Sequence, residues 1–234
     1  MKPLHAILTK LFLAITISMP ALANSYNDGW TAYSKGNYKA AINIFMQLAE
    51  QGDVGAQFNL GYMYSNGRGV YQDSKEAIKW YHLAAEQGDV DAQSNLGLMY
   101  VKGQGVPEDN DEAIKWWRLA AKQGDAAAQS NLGIMYTKDD GVPRDYKEAM
   151  KWYRLAAAQG DVESQTTLGI MYARGQGVPE DKVYAYMWWN LSAASGSEDA
   201  SKNKDIIINS MTPSQVKKAQ GLSKACLKSS YKHC

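Results

Sequence analysis

Gln87 to Glu112 reads QGDVDAQSNLGLMYVKGQGVPEDNDE, and most of it returns at a fixed spacing through the middle of the chain. Gln-Gly-Asp begins at Gln51, Gln87, Gln123 and Gln159; Leu-Gly at Leu60, Leu96, Leu132 and Leu168; Met-Tyr at Met63, Met99, Met135 and Met171. Each step is 36 residues with no insertion. A period between about 20 and 50 residues marks a stacked repeat array, in which each unit buries its apolar face only against its neighbours. The 234 residues therefore read as one elongated all-α domain with short flanking segments.

Within a repeat the pattern is helix, loop, helix. The first helix opens at an aspartate, Asp53, Asp89, Asp125 or Asp161, a residue suited to accept from free backbone N–H groups. It runs to Asn66, Lys102, Lys138 or Arg174. Glycines follow, at 67 and 69, 103 and 105, 175 and 177, with Gly141 alone in the third copy; they permit left-handed C-cap geometry. Pro107, Pro143 and Pro179 then stop continuation. The second helix opens on an acidic N-cap answered by glutamate three residues on: Asp73 with Glu76, Asp109 with Glu112, Asp145 with Glu148. It carries the pairs Trp80-Tyr81, Trp116-Trp117, Trp152-Tyr153 and Trp188-Trp189, read as core, and ends at Gly88, Gly124, Gly160 or Gly196.

The flanks differ. Residues 1–23 have a basic start, an apolar run from Leu11 to Met19 and an Ala21-Leu22-Ala23 cleavage pattern, the form of a secretory signal peptide. The run is too short to span a bilayer comfortably. Ser25–Lys35 and Tyr38–Gln51 read as a divergent helical cap, with Trp30 and Tyr33 on one face of its first helix. After Gly196 the pattern decays, with Lys204 where Leu96 stands in the second copy. Thr212-Pro213-Ser214-Gln215 opens a last helix to about Lys228. The expected organisation is a signal peptide over 1–23, a solenoid over 24–211 and a C-terminal helix with a cysteine-bearing tail over 212–234. Cys226 and Cys234 are the only cysteines, and export would expose them to an oxidising compartment. An intrachain disulfide closing this short loop would add about 2–3 kcal/mol; an intermolecular bridge and free thiols are the alternatives.

Loss of residues 1–23 removes two lysines and no acid, leaving 23 basic and 24 acidic residues and a net charge of −1. Such a chain has no global attraction for nucleic acid or anionic lipid. No H-E-x-x-H, G-x-S-x-G, phosphate loop or metal-spaced Cys/His cluster appears, so no catalytic residue, metal or cofactor is expected. His82 shares its repeat position with Arg118 and Arg154, which implies a solvated site, and His233 adjoins the terminal cysteine.

The elements A-x-x-x-L-G-x-M-Y, G-x-G-V-P and E-A-x-K-W, 36 residues apart over about Tyr38 to Ala200, resemble Sel1-like repeats, relatives of tetratricopeptide repeats. The resemblance implies a right-handed α-α superhelix and a role in protein–protein interaction. It extends to exported bacterial members that end in a Thr-Pro helix and two cysteines. A cysteine-rich branch of the family, to which penicillin binding and β-lactamase activity are attributed, has a disulfide in each repeat. The repeats here contain none, so that activity transfers poorly.

Binding residues follow from helix faces. On the first helix of the second copy, Ala92, Leu96, Met99 and Gly103 share one face and are expected to pack inward. Gly97 allows close helix approach, and Tyr100 is read as core. The other face carries Asn95, Leu98 and Lys102, with equivalents Asn59, Tyr62 and Asn66, then Asn131, Ile134 and Lys138, then Thr167, Ile170 and Arg174. In tetratricopeptide relatives the first helices line a concave groove, and an asparagine two residues before the Leu-Gly glycine bonds a bound peptide's backbone. The match falls on Asn59, Asn95 and Asn131, while Thr167 departs. The expected partner is a protein or peptide segment held by amide, apolar and basic rows, in the periplasm or outside the cell. The alternative is that these asparagines bridge neighbouring helices.

Overall fold

A computed structural model describes residues 19–138, 142–231 and 234 of the chain. The described residues form twelve α-helices and no strand: α1 (Met19–Ser34), α2 (Tyr38–Glu50), α3 (Val54–Asn66), α4 (Ser74–Glu86), α5 (Val90–Val101), α6 (Asn110–Lys122), α7 (Ala126–Thr137), α8 (Tyr146–Ala157), α9 (Val162–Arg174), α10 (Lys182–Ala194), α11 (Glu198–Ile207) and α12 (Pro213–Lys228). They pack in consecutive antiparallel hairpins, the architecture of a solenoid. Helix α1 begins at Met19, six residues before the start read from sequence. Ala21, Leu22 and Ala23 are strong helix formers, and a helix tolerates Pro20 in its first turn. The rest of the proposed signal segment, residues 1–18, lies outside the described residues.

Aspartate starts every repeat helix. The side chains of Asp53, Asp89, Asp125 and Asp161 accept from the N–H groups of Ala56, Ala92, Ala128 and Ser164 at 2.6–2.7 Å. Asp73, Asp109 and Asp145 accept likewise from the N–H groups of Glu76, Glu112 and Glu148. These glutamates do not reach back to close a capping box. Each turns along the helix to a lysine three residues on, Lys79, Lys115 or Lys151, at 2.7–3.0 Å. The ammonium competes successfully because a charge-assisted bond is stronger than one to a neutral amide. The complete box forms at Thr212 and Gln215.

Glycine decides how closely each hairpin closes. A Cβ on Gly61, Gly97, Gly133 or Gly169 would sit 2.4–2.6 Å from the ring of Tyr81, Trp117, Tyr153 or Trp189. The ring of the second helix thus lies directly on the backbone of the first. Trp117 and Trp189 also donate from Nε1 to the carbonyls of Ser94 and Thr166 at 3.1 Å. Ala92, Leu96 and Met99 are buried as expected. Gly103 is exposed, a correction to its placement on the packing face. It takes φ of +60° past the end of α5 and turns the chain out of the core. Tyr136 and Tyr172 are buried, whereas Tyr100 is half-buried.

Neighbouring repeats are stitched by buried glutamines. Gln57, Gln93, Gln129 and Gln165 each donate to the last turn of the preceding helix, at the carbonyls of Ala49, Ala85, Ala121 and Ala157. Their Oε1 atoms accept from Gln87, Gln123 and Gln159 at 2.7–2.9 Å in the first three copies. The fourth copy has Ser195 where the next glutamine belongs, and the buried Oε1 of Gln165 has no donor among the described residues. A second set of links joins each second helix to the following first helix: His82 with the Tyr100 hydroxyl at 3.0 Å, Arg118 with that of Tyr136, and Arg154 with that of Tyr172 at 2.6 Å. His82 is therefore half-buried in a contact, not merely solvated as its alternation with arginine implied.

The array closes at its C-terminal end. Helix α12 packs on α10 rather than extending the stack beyond α11. Val183, Tyr186 and Ala219 meet there under Ile207, Ile208, Met211 and Leu222. Cys226 is buried and joined to Cys234 with 5.1 Å between Cα atoms, inside the ordinary disulfide range. Among the described residues no helix is long and apolar enough to cross a membrane.

Three outcomes follow from these contacts. Gly97→Ala gains about 1 kcal/mol of helix propensity but overpacks the Trp117 indole; chemical denaturation should show a net loss of about 1–2 kcal/mol. Gly221→Ala, on α12 with nothing near its added Cβ, should gain up to about 1 kcal/mol in the same experiment. Ser195→Gln supplies the missing donor to Gln165 and should raise stability by about 1 kcal/mol. Burial raises the Tyr81 hydroxyl above its ordinary value of 10.0 and raises that of Tyr153 to about 12. A folded pKa above the unfolded one gives stability that is complete below pH 10 and lost as pH rises through 12. Unfolding free energy should therefore fall across that window, and Tyr153→Phe should make the fall shallower.

Candidate docking surface

The two helices of each repeat occupy different sides of the array. The first helices α3, α5, α7, α9 and α11 contact one another from repeat to repeat, while the second helices approach one another less closely. Elements that crowd together lie on the inside of a curve, so the first helices form the inner side. The rows read from sequence lie on these helices. Leu98 and Tyr62 are exposed to 38% and 39%, and Ile134 and Ile170 are half-buried. Lys102, Lys138 and Arg174 are exposed and form no ion pair among the described residues. On the second helices Lys79, Lys115 and Lys151 are matched to glutamates, while Lys75, Lys122, Lys147 and Lys182 form no ion pair among the described residues.

The amide row is not uniform. Asn59 is buried, and its Nδ2 donates to the Tyr26 hydroxyl at 3.0 Å and the Gly55 carbonyl at 2.7 Å, bridging α1 and α3. Asn95 is half-buried and donates to the Asp91 carbonyl of its own helix at 2.8 Å. Asn131 is half-buried, and Thr167 occupies the fourth position. In repeat one, Asn66 donates back to the Tyr62 carbonyl, and Arg68 lies with its guanidinium 5.6 Å from the Tyr38 ring centre. The opposite ends of the inner helices carry exposed acids, Asp91, Glu163 and Asp199. Asp91 and Lys102 are eleven residues apart, about 16 Å along the helix axis. The inner side therefore has an acidic rim and a basic rim flanking an apolar centre.

Two clefts mark its ends. Trp30, Tyr33, Phe58, Asn59 and Tyr62 line one of about 220 Å³ between α1 and α3. Trp30 stacks on Tyr33 with ring centres 5.6 Å apart, and Tyr62 meets Tyr33 edge-on at 6.4 Å. Burial, reinforced by the neighbouring Tyr62 and Tyr38, holds the Tyr33 hydroxyl above its ordinary pKa, so it stays neutral. The other cleft, about 370 Å³, is lined by Val162, Glu163, Thr166, Thr167, Ser197 and Asp199. Sequence reading placed Asn59 and Tyr62 on this surface but missed that the cap helix completes a cleft with them. It also missed a row of exposed leucines on the second helices, Leu83, Leu119 and Leu155, although their 36-residue spacing was present to be read.

Catalytic geometry does not assemble around the histidine. His82 meets Trp116 edge-on at 5.2 Å as well as the Tyr100 hydroxyl, and burial lowers its pKa. His233 lies outside the described residues. Among the described residues no group of three or more His, Cys, Asp or Glu is placed to hold a metal ion.

Comparison with known proteins agrees with this geometry. The family described as Sel1 repeat matches residues 54–89, 90–125, 126–161 and 162–197. The chain belongs to the Sel1 repeat family. A Sel1 repeat protein from Oxalobacter formigenes superposes with a TM-score of 0.72 at 31% identity, covering 87% of this chain and 88% of that one. A protective antigen present in uropathogenic Escherichia coli strains, with an SLR fold, superposes with a TM-score of 0.77 at 31% identity, covering 90% of this chain and 47% of the antigen. An exopolysaccharide production negative regulator of Rhizobium leguminosarum bv. viciae is 38% identical over 56 residues, 24% of this chain and 21% of the regulator. The chain thus spans about half of the antigen and about a fifth of the regulator. Sel1 repeats generally serve as non-catalytic scaffolds for protein interaction.

Proposed function

We propose that the chain is an adaptor of the bacterial periplasm or exterior whose inner surface holds an extended, acidic segment of a protein partner. One observation carries this reading. The cations of the inner rim, Lys102, Lys138 and Arg174, recur at the same point of three successive repeats, exposed and without an ion pair among the described residues. An acidic chain laid across the repeats supplies their counter-charges. Tyr62, Leu98, Ile134 and Ile170 give it apolar contact along the same path, and the amide oxygens of Asn95 and Asn131 accept from its backbone. The scaffold is set by helix packing before the partner arrives, so little ordering of the protein opposes binding.

Support for export comes from the basic and apolar character of residues 1–23 and from the Cys226–Cys234 bond. Likeness to the Escherichia coli antigen points the same way. The regulator from Rhizobium fits an adaptor that acts through another protein. No observation favours β-lactam chemistry, since both cysteines lie in the C-terminal tail.

The test is fluorescence anisotropy with a fluorescein-labelled eight-residue peptide of alternating glutamate and leucine. Lys102→Glu with Lys138→Glu should raise its Kd at least tenfold at low salt, and added salt should weaken wild-type binding. Asn95→Ala with Asn131→Ala should raise it severalfold with little change in Tm. Lys79→Glu should leave it unchanged. Equal affinity in all variants contradicts the assignment.

A further inference from the structure

We infer that the cleft between α1 and α3 is an anchoring subsite that takes one aromatic side chain of the bound acidic segment and so fixes its register on the array; this rests on the inner-surface reading above.

The cleft differs from the rest of the surface in kind. Along α5, α7 and α9 the apolar row offers aliphatic side chains, each flanked by solvent. At α3 the same row ends in Tyr62, and the cap helix brings Trp30 and Tyr33 against it. Trp30 remains 51% exposed despite its size, on the rim of a concave site rather than on an open surface. A large indole left half in water beside two further rings is a contact awaiting a partner. The floor carries a polar handle as well. The Nδ2 of Asn59 is committed to Tyr26 and Gly55, which fixes the amide plane, and its Oδ1 accepts no hydrogen bond among the described residues.

Ring faces attract both aromatic rings and cations, so charge must decide between them. Two observations weigh against a lysine or arginine side chain. Arg68 lies against Tyr38, which in turn meets Tyr33 with ring centres 5.2 Å apart, so positive charge already stands beside the cleft. Basic residues also follow the same rim through Lys102, Lys138 and Arg174. An aromatic residue within an acidic stretch satisfies both the cleft and the rim. An indole or phenol further places an N–H or O–H donor near Asn59 Oδ1, favouring tryptophan or tyrosine over phenylalanine. The cleft volume of about 220 Å³ admits one such side chain and not two.

The experiment uses the whole mature chain and fluorescein-labelled eight-residue peptides with a common Glu-Ser body. They carry tryptophan, alanine or lysine at one end, prepared with that residue at either terminus. Anisotropy should show that one tryptophan peptide binds about tenfold more tightly than its alanine counterpart. Trp30→Ala should abolish that preference while leaving affinity for the alanine peptide within twofold, and Tyr62→Ala should abolish the preference independently. That unchanged baseline shows that the fold survives. Lys102→Glu with Lys138→Glu should weaken all peptides together and keep the preference. Alanine and tryptophan peptides binding equally well overturn the subsite and leave the inner-surface reading standing. Tightest binding by the lysine peptide overturns the aromatic occupant. No binding by any peptide overturns both readings.

Discussion

Each of the four repeat hairpins closes through one contact, a ring laid on a helix glycine. Gly61, Gly97, Gly133 and Gly169 have no room for a Cβ beside Tyr81, Trp117, Tyr153 and Trp189. The rings are buried because the opposing helix has no side chain there to hold them off. The consequence is a short distance between the two helices of each repeat, set four times by glycine against an aromatic ring. A solenoid depends on such uniformity, since an error in one hairpin displaces all that follow.

The links between repeats then decide which side is free. Buried glutamines tie each first helix to the helix before it, and His82, Arg118 and Arg154 tie each second helix to the one after. These bonds consume the polar groups of the ends and flanks. Glu76, Glu112 and Glu148 of the second helices are paired with lysines of their own helices. On the inner helices Lys102, Lys138 and Arg174 stay without an ion pair among the described residues.

Much of this was legible in the sequence. The period fixed the architecture, because an uninterrupted 36-residue recurrence admits few structures other than stacked hairpins. The aspartate caps, the close approach at Gly97 and the closing Thr-Pro helix could be read locally. Properties that depend on competition between partners could not. Glu76, Glu112 and Glu148 had two possible neighbours, and the lysine won. Gly103 fell on the helical register of the core but beyond the helix end. Gln57 and its equivalents were visible as repeats, yet their partners lie 30 residues away and only the fold brings them together. The aromatic cleft is likewise non-local, joining a cap helix to the first repeat, and Asn59 proved to be a bridge between those two helices. The docking of α12 on α10 depends on a register that no periodicity encodes.

The account requires that binding be confined to one side of the array. Hydrogen–deuterium exchange on the whole chain, with and without a saturating acidic peptide, measures this directly. The prediction is added protection along α3, α5, α7 and α9 with the second helices unchanged. Protection centred on α4, α6 and α8, where the exposed leucines lie, would contradict it.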